Sequence, residues 1–474
     1  KIGILSGGMT PSKNRWDFWE GDINWFSPKD IKSDELLESE LKITRTGVEE
    51  TGLQLYPPGC LFIVARSGIL KRTFPVSINR VEATVNQDLK VLTPFFEGLE
   101  RYLQIMLRGM TDVILSTLVK TGTTVQSLKY DEFELQPFPL PPLAEQQRIV
   151  AKVDELMGLC DRLEAAQAER ESRRDRLAVS SLHRLNSEVD PDAFREHARF
   201  TLDNLPRLTT RTEHIQQLRQ TILSLAVRGK LVLQDPNDEP ASELLIRIQA
   251  EKSRLLKEGK IGSEKPPIPA RAGELAFELK PGWQAARISQ ILVELQTGPF
   301  GSSLHQSDYQ KGGVPVINPA SIKNERLVPV ESMAVGPKTL QRLATFKLRA
   351  GDIVMARRGE MGRCAVVTKQ ENGWLCGTGS LILRLPEFIF PHFFVTLIGS
   401  PFVREYLGGS AVGATMQNLN QSILLNLVIG LPPLAEQHRI VAKVDELMAL
   451  CDRLEAQLTI TQTESHRLLA AVLH

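Results

Sequence analysis

Two short segments of this chain place guanidinium groups directly after an apolar run. ARSGILKR, residues 65–72, supplies Arg66, Ser67, Lys71 and Arg72, and ARRGEMGR, residues 356–363, supplies Arg357, Arg358, Glu360 and Arg363. A guanidinium offers a planar fork of donors that fits a guanine edge or a phosphate, and glycine lets a backbone come close to a ligand. Nucleic-acid contact is the chemistry this pattern can perform. The plainer reading is a solvated hairpin tip, because Arg and Lys favour surfaces in any protein. Lys32 and Lys323 follow a Ser-Pro and an Asn-Pro turn and are placed as phosphate contacts. Gln126, Gln417, Asn418 and Asn420 could touch backbone or base, or serve structurally beside a helix start, and the sequence leaves both open.

Nothing of a catalyst accompanies these groups. No GxxxxGK[ST] phosphate loop and no HExxH occurs. Leu431-Pro432-Pro433-Leu434 has the proline pair of an adenine-methylase box but lacks the Asn and the aromatic that would hold a flipped base. The five cysteines form no CxxC pair, so no metal site or disulfide framework is expected, and Cys364 and Cys376 are taken as structural thiols. No bound cofactor and no catalytic residue is expected. No apolar run approaches the ~20 residues needed to cross a bilayer, and the cysteine usage fits a reducing cytoplasm.

The elements that must position the cations are set by an internal repeat. Residues 140–165, LPPLAEQQRIVAKVDELMGLCDRLEA, recur at 431–456 with only Gln147/His438 and Gly158/Ala449 different among 26 positions. The offset of 291 residues is too long for a solenoid and signals duplication of a whole domain-plus-helix unit. It holds without a gap: Gln126 and Leu128 fall on Gln417 and Leu419, and Arg66 falls on Arg357. Lys1 falls on Leu292, so the first domain is expected to begin part-way in, without counterparts of 280–291.

Within the repeat, a proline pair precedes a helix. Ile149, Val153, Leu156, Cys160 and Leu163, and again Ile440, Val444, Leu447, Cys451 and Leu454, recur at spacings of three and four, which is a coiled-coil seam. The cysteines on it read as small buried apolar residues. Each helix would run for ~60–65 Å, and the two seams are expected to pair with each other. The regions before them read as compact α+β domains, with β-type runs at 60–65, 351–356 and 377–384 and helical stretches at 100–107 and 391–407. Between the halves, 211–228 reads as a helix closed by Gly229, 242–258 as a helix capped by Ser242, and 260–272 as a linker.

This plan resembles the specificity subunits of type I restriction–modification systems. The twin LPPLAEQ…RIVAKVDEL…LCDRLEA segments carry the likeness, with SGGMTPS (6–12), WFSPKDIK (25–32), GPFGS (298–302), VINPASIK (316–323) and the loop QDPNDEPAS (234–242). The resemblance implies two similar α+β target-recognition domains, at 1–139 and 280–430, each reading half of a split site in double-stranded DNA. It implies two long antiparallel helices, 140–186 and 431–474, joined through a helical connector and linker at 187–279, related by a pseudo-twofold axis. It also implies two modification subunits that bind S-adenosylmethionine and methylate adenine, and restriction subunits with an ATP-driven motor and nuclease.

Charge qualifies this. Residues 280–433 carry 15 Lys and Arg against 9 Asp and Glu, whereas residues 1–142 carry 16 against 18. Only the second domain has the footprint of a phosphate binder. Two other readings stay open at this point: a coiled-coil scaffold that shows two domains to protein partners, and a self-contained DNA methyltransferase, disfavoured by the missing motifs.

Overall fold

The computed structural model describes residues 2–120, 125–187, 190–262, 268–275, 277–359, 362–409 and 419–473. The chain divides into two compact units, Lys1–Glu169 and Arg170–His474.

In the first unit, the wholly apolar Leu61–Val64 is buried along its length and lies in the middle of a five-stranded sheet. It pairs antiparallel with Leu89–Pro94 on one side and Val76–Asn79 on the other, and Gly3–Gly7 pairs antiparallel with Leu89–Pro94. Phe26, Tyr56 and Phe62 meet edge to face in the core beside this sheet. Helix Glu100–Gly109 buries Tyr102, Leu103, Met106 and Leu107 in the same core. Its outer face fastens the unit to the long helix Leu143–Ser187, because Arg101 bridges Asp34 at 3.1 Å and Asp154 at 2.7 Å.

The second unit repeats the arrangement. The buried Ile353–Ala356 lies between Ser380–Arg384 and Cys364–Val366, and Glu294–Thr297 extends the sheet beyond Ser380–Arg384. Helix Pro391–Gly399 covers it, and a new helix, Pro401–Gly409, begins where one helix was expected through 407, because Pro401 cannot continue the hydrogen-bond ladder. A further strand, Gln284–Arg287, pairs with Val428–Leu431 just before the second long helix, Leu434–Leu473.

The repeated motif earns its residues at the helix starts. Gln146 donates from Nε2 to the Pro141 carbonyl at 2.7 Å, and Gln437 donates to the Pro432 carbonyl at 3.1 Å. Both glutamines are buried, so each tethers the first turn to the proline pair before it. Gln437 also accepts from the Phe390 amide at 2.9 Å, and the buried Glu436 accepts from the Trp283 indole at 3.0 Å. Burial pushes the Glu436 carboxyl above its ordinary range, and the Trp283 hydrogen bond only partly offsets this.

Two expectations are corrected here. The seam of the second helix does not wait for the first. Ile440, Val444 and Cys451 are buried, with Leu447 and Leu454 beside them, against Ile215, Leu218, Ile222 and Leu225 of helix Thr212–Val227. That connector helix carries its own apolar residues at spacings of three and four, and it fills the seam. Arg219 of the same helix reaches Asp452 at 2.6 Å. Leu182 and Leu185, near the end of the first long helix, join this cluster. On the first helix, Ile149 packs on the first domain's core and Val153 is half-buried, whereas Leu156, Cys160 and Leu163 are exposed. The burial read for a seam cysteine therefore holds for Cys451 and not for Cys160. The second correction is local: the helix placed at 242–258 is Ala241–Lys257, and Pro240, not Ser242, occupies its cap. No side-chain oxygen caps it, and the Ala241 amide instead finds the Gly282 carbonyl at 2.9 Å.

Candidate nucleic-acid interface

In the second unit, four loops leave one end of the sheet. Strand Glu294–Thr297 ends with Thr297 paired to Leu381, and Ile353–Ala356 ends with Ala356 paired to Ser380. The turn before Ser380 is therefore flanked by both chains. The Gly298 amide donates to the Ser380 carbonyl at 2.9 Å, and the Arg357 amide donates to the Gly379 carbonyl at 2.9 Å. The Asn318–Ser321 turn closes the group, because the Gly377 amide donates to the Ile317 carbonyl at 2.9 Å. Glycine is required where these loops touch: a Cβ on Gly377 would stand 2.1 Å from the Asn318 side-chain oxygen, and one on Gly298 would stand 2.3 Å from the Gly377 carbonyl.

The cations at this end divide into two kinds. Arg358 is exposed, whereas Arg357 is half-buried and donates from Nε to the Leu419 carbonyl at 3.1 Å. The Leu419 amide returns a bond to the Arg357 carbonyl at 3.0 Å. Arg357 thus braces the chain that leads into helix Gln421–Asn426. Asn420 caps that helix by accepting from the Ser422 amide at 3.2 Å, and Gln421 donates to Thr297 at 2.8 Å. Arg363 is half-buried, and its Nε makes no hydrogen bond. Lys323 stands in a two-residue hairpin opposite Arg326, both exposed, with Asn324 and Glu325 at φ +48° and +58°. Two cations thus face each other across a hairpin whose tip also carries Glu325. Glu360, Gln417 and Asn418 lie outside the described residues.

The first unit builds the same end with different side chains. The Arg66 amide donates to the Asp88 carbonyl at 3.1 Å and the Asn86 amide to the Phe26 carbonyl at 2.9 Å. Each matches a bond of the second unit at the 291-residue offset. Arg66, Lys71 and Arg72 are exposed, and Ser67 caps the turn between them by accepting from the Ile69 amide at 3.4 Å. Gln126 is 2 % exposed in a strand paired with Ser67, so it is part of the scaffold. Lys32 is exposed beyond the Ser27–Asp30 turn, which Asp30 closes by accepting from the Ser27 amide at 2.8 Å.

Sequence reasoning matched the Arg66 and Arg357 loops at one offset, but it missed three things: the bracing role of Arg357, the cation pair Lys323–Arg326, and the loops after Gly7 and Gly298 that rise beside the arginines. The 291-residue register held the last signal, since GGM (7–9) falls on GPF (298–300). Cys364 and Cys376 are buried, and burial pushes both thiols up, Cys376 to about 12, as befits inert core residues. Among the described residues no three His, Cys, Asp or Glu side chains are grouped to hold a metal ion, and no helix is long and apolar enough to cross a membrane.

A family model described as the type I restriction modification DNA specificity domain matches residues 2–170 and again 281–461. The chain belongs to the type I restriction–modification specificity family. Two matches in one chain reproduce the duplication read from its repeat. Specificity-family relatives include the EcoEI specificity subunit of Escherichia coli, 30 % identical over 393 residues, and the EcoAI specificity subunit of the same species, 30 % identical over 395 residues. Each alignment covers 80 % of this chain and 65 % of the relative, so the chain spans just under two thirds of their length. A chain from a solved structure concerned with complex assembly and conformational transition of the type I R-M system shares the fold, with a TM-score of 0.52 at 17 % identity, over 100 % of this chain and 94 % of that one.

Proposed function

We propose that this chain reads a bipartite sequence in double-stranded DNA and directs the adenine methyltransferase and motor-nuclease subunits of a type I restriction–modification complex to it. The observation that carries this reading is the repetition, at one offset, of the same sheet end with exposed cations, each followed by the same long helix. Each unit reads one half-site through that end. The two long helices set the distance between the half-sites and receive two modification subunits.

The chain performs no chemistry itself. S-adenosylmethionine and ATP are held by the partner subunits, and the assembly works in the cytoplasm. Calorimetric titration of the isolated chain with either cofactor should give no heat of binding, and micromolar affinity for either would overturn the non-catalytic role. The reading as a whole is tested by sequencing methylated adenines in the host genome with and without this gene. A split motif that disappears with the gene is expected. An unchanged set of methylated sites would reject the reading.

A further inference from the structure

Ile69 in the Arg66 loop is 37 % exposed but falls on Glu360 at the 291-residue offset, whereas one exposed large apolar residue recurs beside the cationic loops of both units. Phe300 is 67 % exposed and Met9 is 46 % exposed, and they occupy the same position at the 291-residue offset. Scattered exposed apolar residues are normal. Several others on this chain need no function: Trp16 has no apolar counterpart, falling on Ser307, and Phe95 and Phe96 follow the far end of Leu89–Pro94. The pair at 9 and 300 differs in two ways. Both residues follow the strand that lies one removed from the arginine strand, across the strand between them: Gly7 pairs with Lys90, whose neighbour Leu89 pairs with Val64, and Thr297 pairs with Leu381, whose neighbour Ser380 pairs with Ala356.

Both are also held outward by a fixed backbone. The Met9 carbonyl accepts from the Trp25 indole at 3.2 Å, and its neighbour Thr10 donates to Gln87 at 2.6 Å. The Phe300 carbonyl accepts from the Ser303 and Leu304 amides at 2.8 and 3.2 Å. Neither a thioether nor a phenyl ring has anything to offer a phosphate. On a surface whose cations take the phosphates, an apolar group fixed outward can meet deoxyribose, which carries no sequence, or a base. The partner that serves sequence reading is the apolar part of a base: the thymine methyl in the major groove, or a base face at an opened step.

We propose that Met9 and Phe300 are apolar base contacts, one for each half-site. This rests on the DNA-reading function above. The test uses the chain assembled with its modification subunits and a duplex carrying its split motif, with affinity followed by fluorescence anisotropy at several salt concentrations. Phe300→Ala should weaken binding on the order of tenfold through the half-site read by the second unit, and Met9→Ala should act through the other. The salt slope should stay unchanged, because no counterion is released by an apolar contact. Phe300→Leu should restore part of the loss. Replacing thymine by deoxyuridine in the half-site separates the two sources. If the methyl is the target, the wild type loses affinity and Phe300→Ala loses no more; if a base face is the target, the replacement costs both nothing. Full affinity and specificity in both alanine variants, or a loss that comes with a flattened salt slope, would overturn the proposal. A wild-type complex with no preference for any split motif would instead overturn the DNA-reading function itself.

Discussion

Arg357 and Arg358 are neighbours with different work. Arg358 is exposed, and its replacement by Ala in the assembled complex should cost about 1–3 kcal/mol of binding at one base position, or flatten the salt slope by about one if it meets a phosphate. Arg357 holds the Leu419 carbonyl, so Arg357→Ala should lower the thermal midpoint of the chain in the absence of DNA, by an amount consistent with the ~1.5–3 kcal/mol of a charged hydrogen bond. Glu436 gives a third residue-scale expectation. Its folded-state carboxyl titrates above the ordinary value, so its contribution favours folding below the unfolded-state pKa and is lost as pH rises toward the elevated folded value. Glu436→Gln keeps an acceptor for the Trp283 indole and removes the buried charge. Melting curves across pH should show the variant gaining on the wild type from acid to neutral. A wild type that gains instead would mean the carboxylate is better paired than its burial implies. The residue types at the loops were legible because cations after an apolar strand are a local pattern. Which arginine braces and which faces outward was not, because it depends on Leu419, a residue 62 positions away from Arg357.

Helices show what periodicity can and cannot say. The spacing of Ile440, Val444 and Cys451 identified a face that must be buried, and it is buried. It could not identify what covers that face, since any helix with a complementary stripe will do. The connector Thr212–Val227 has one and is close in the fold. Ile222→Ala should therefore destabilise the second unit by about 2–4 kcal/mol, whereas Leu163→Ala, on the exposed stretch of the first helix, should change stability by less than about 0.5 kcal/mol. Denaturant titrations of both variants check this, and a large loss at Leu163 would mean that the stretch is covered within the chain. The turn at Pro401 and the cap at Pro240 were missed for the same kind of reason. A proline's local effect is certain, but whether the helix bends, stops or restarts there depends on neighbours such as Gly282.

At the scale of the whole molecule, duplication was the most legible feature, because 24 identical positions among 26 need no physical model to interpret. If the two helices measure the distance between half-sites, their length is a variable that can be changed without touching either sheet end. Inserting one matching heptad after Leu163 and one after Leu454 lengthens each by ~10 Å and keeps the apolar faces in phase. That corresponds to about three base pairs of duplex. Methylation mapping should return the same bases in each half-site and a longer spacer between them. Retention of the original spacing by an assembled, active complex would reject the helices as the ruler. The excess of cations in 280–433 over 1–142 carries a further expectation: binding through the second half-site should weaken more steeply with salt than binding through the first.

Cys160 and Cys451 hold the same place in the two repeats, yet Cys160 is exposed while Cys451 and the other three thiols are buried. Of the five thiols in these 474 residues, Cys160 therefore offers one point of chemical attachment, on a long helix proposed above to receive modification subunits. A maleimide dye should modify one thiol per folded chain and five after denaturation. Emission from that single label then becomes a spectroscopic record of assembly, in which quenching or a spectral shift on mixing with candidate subunits times their arrival at this part of the helix.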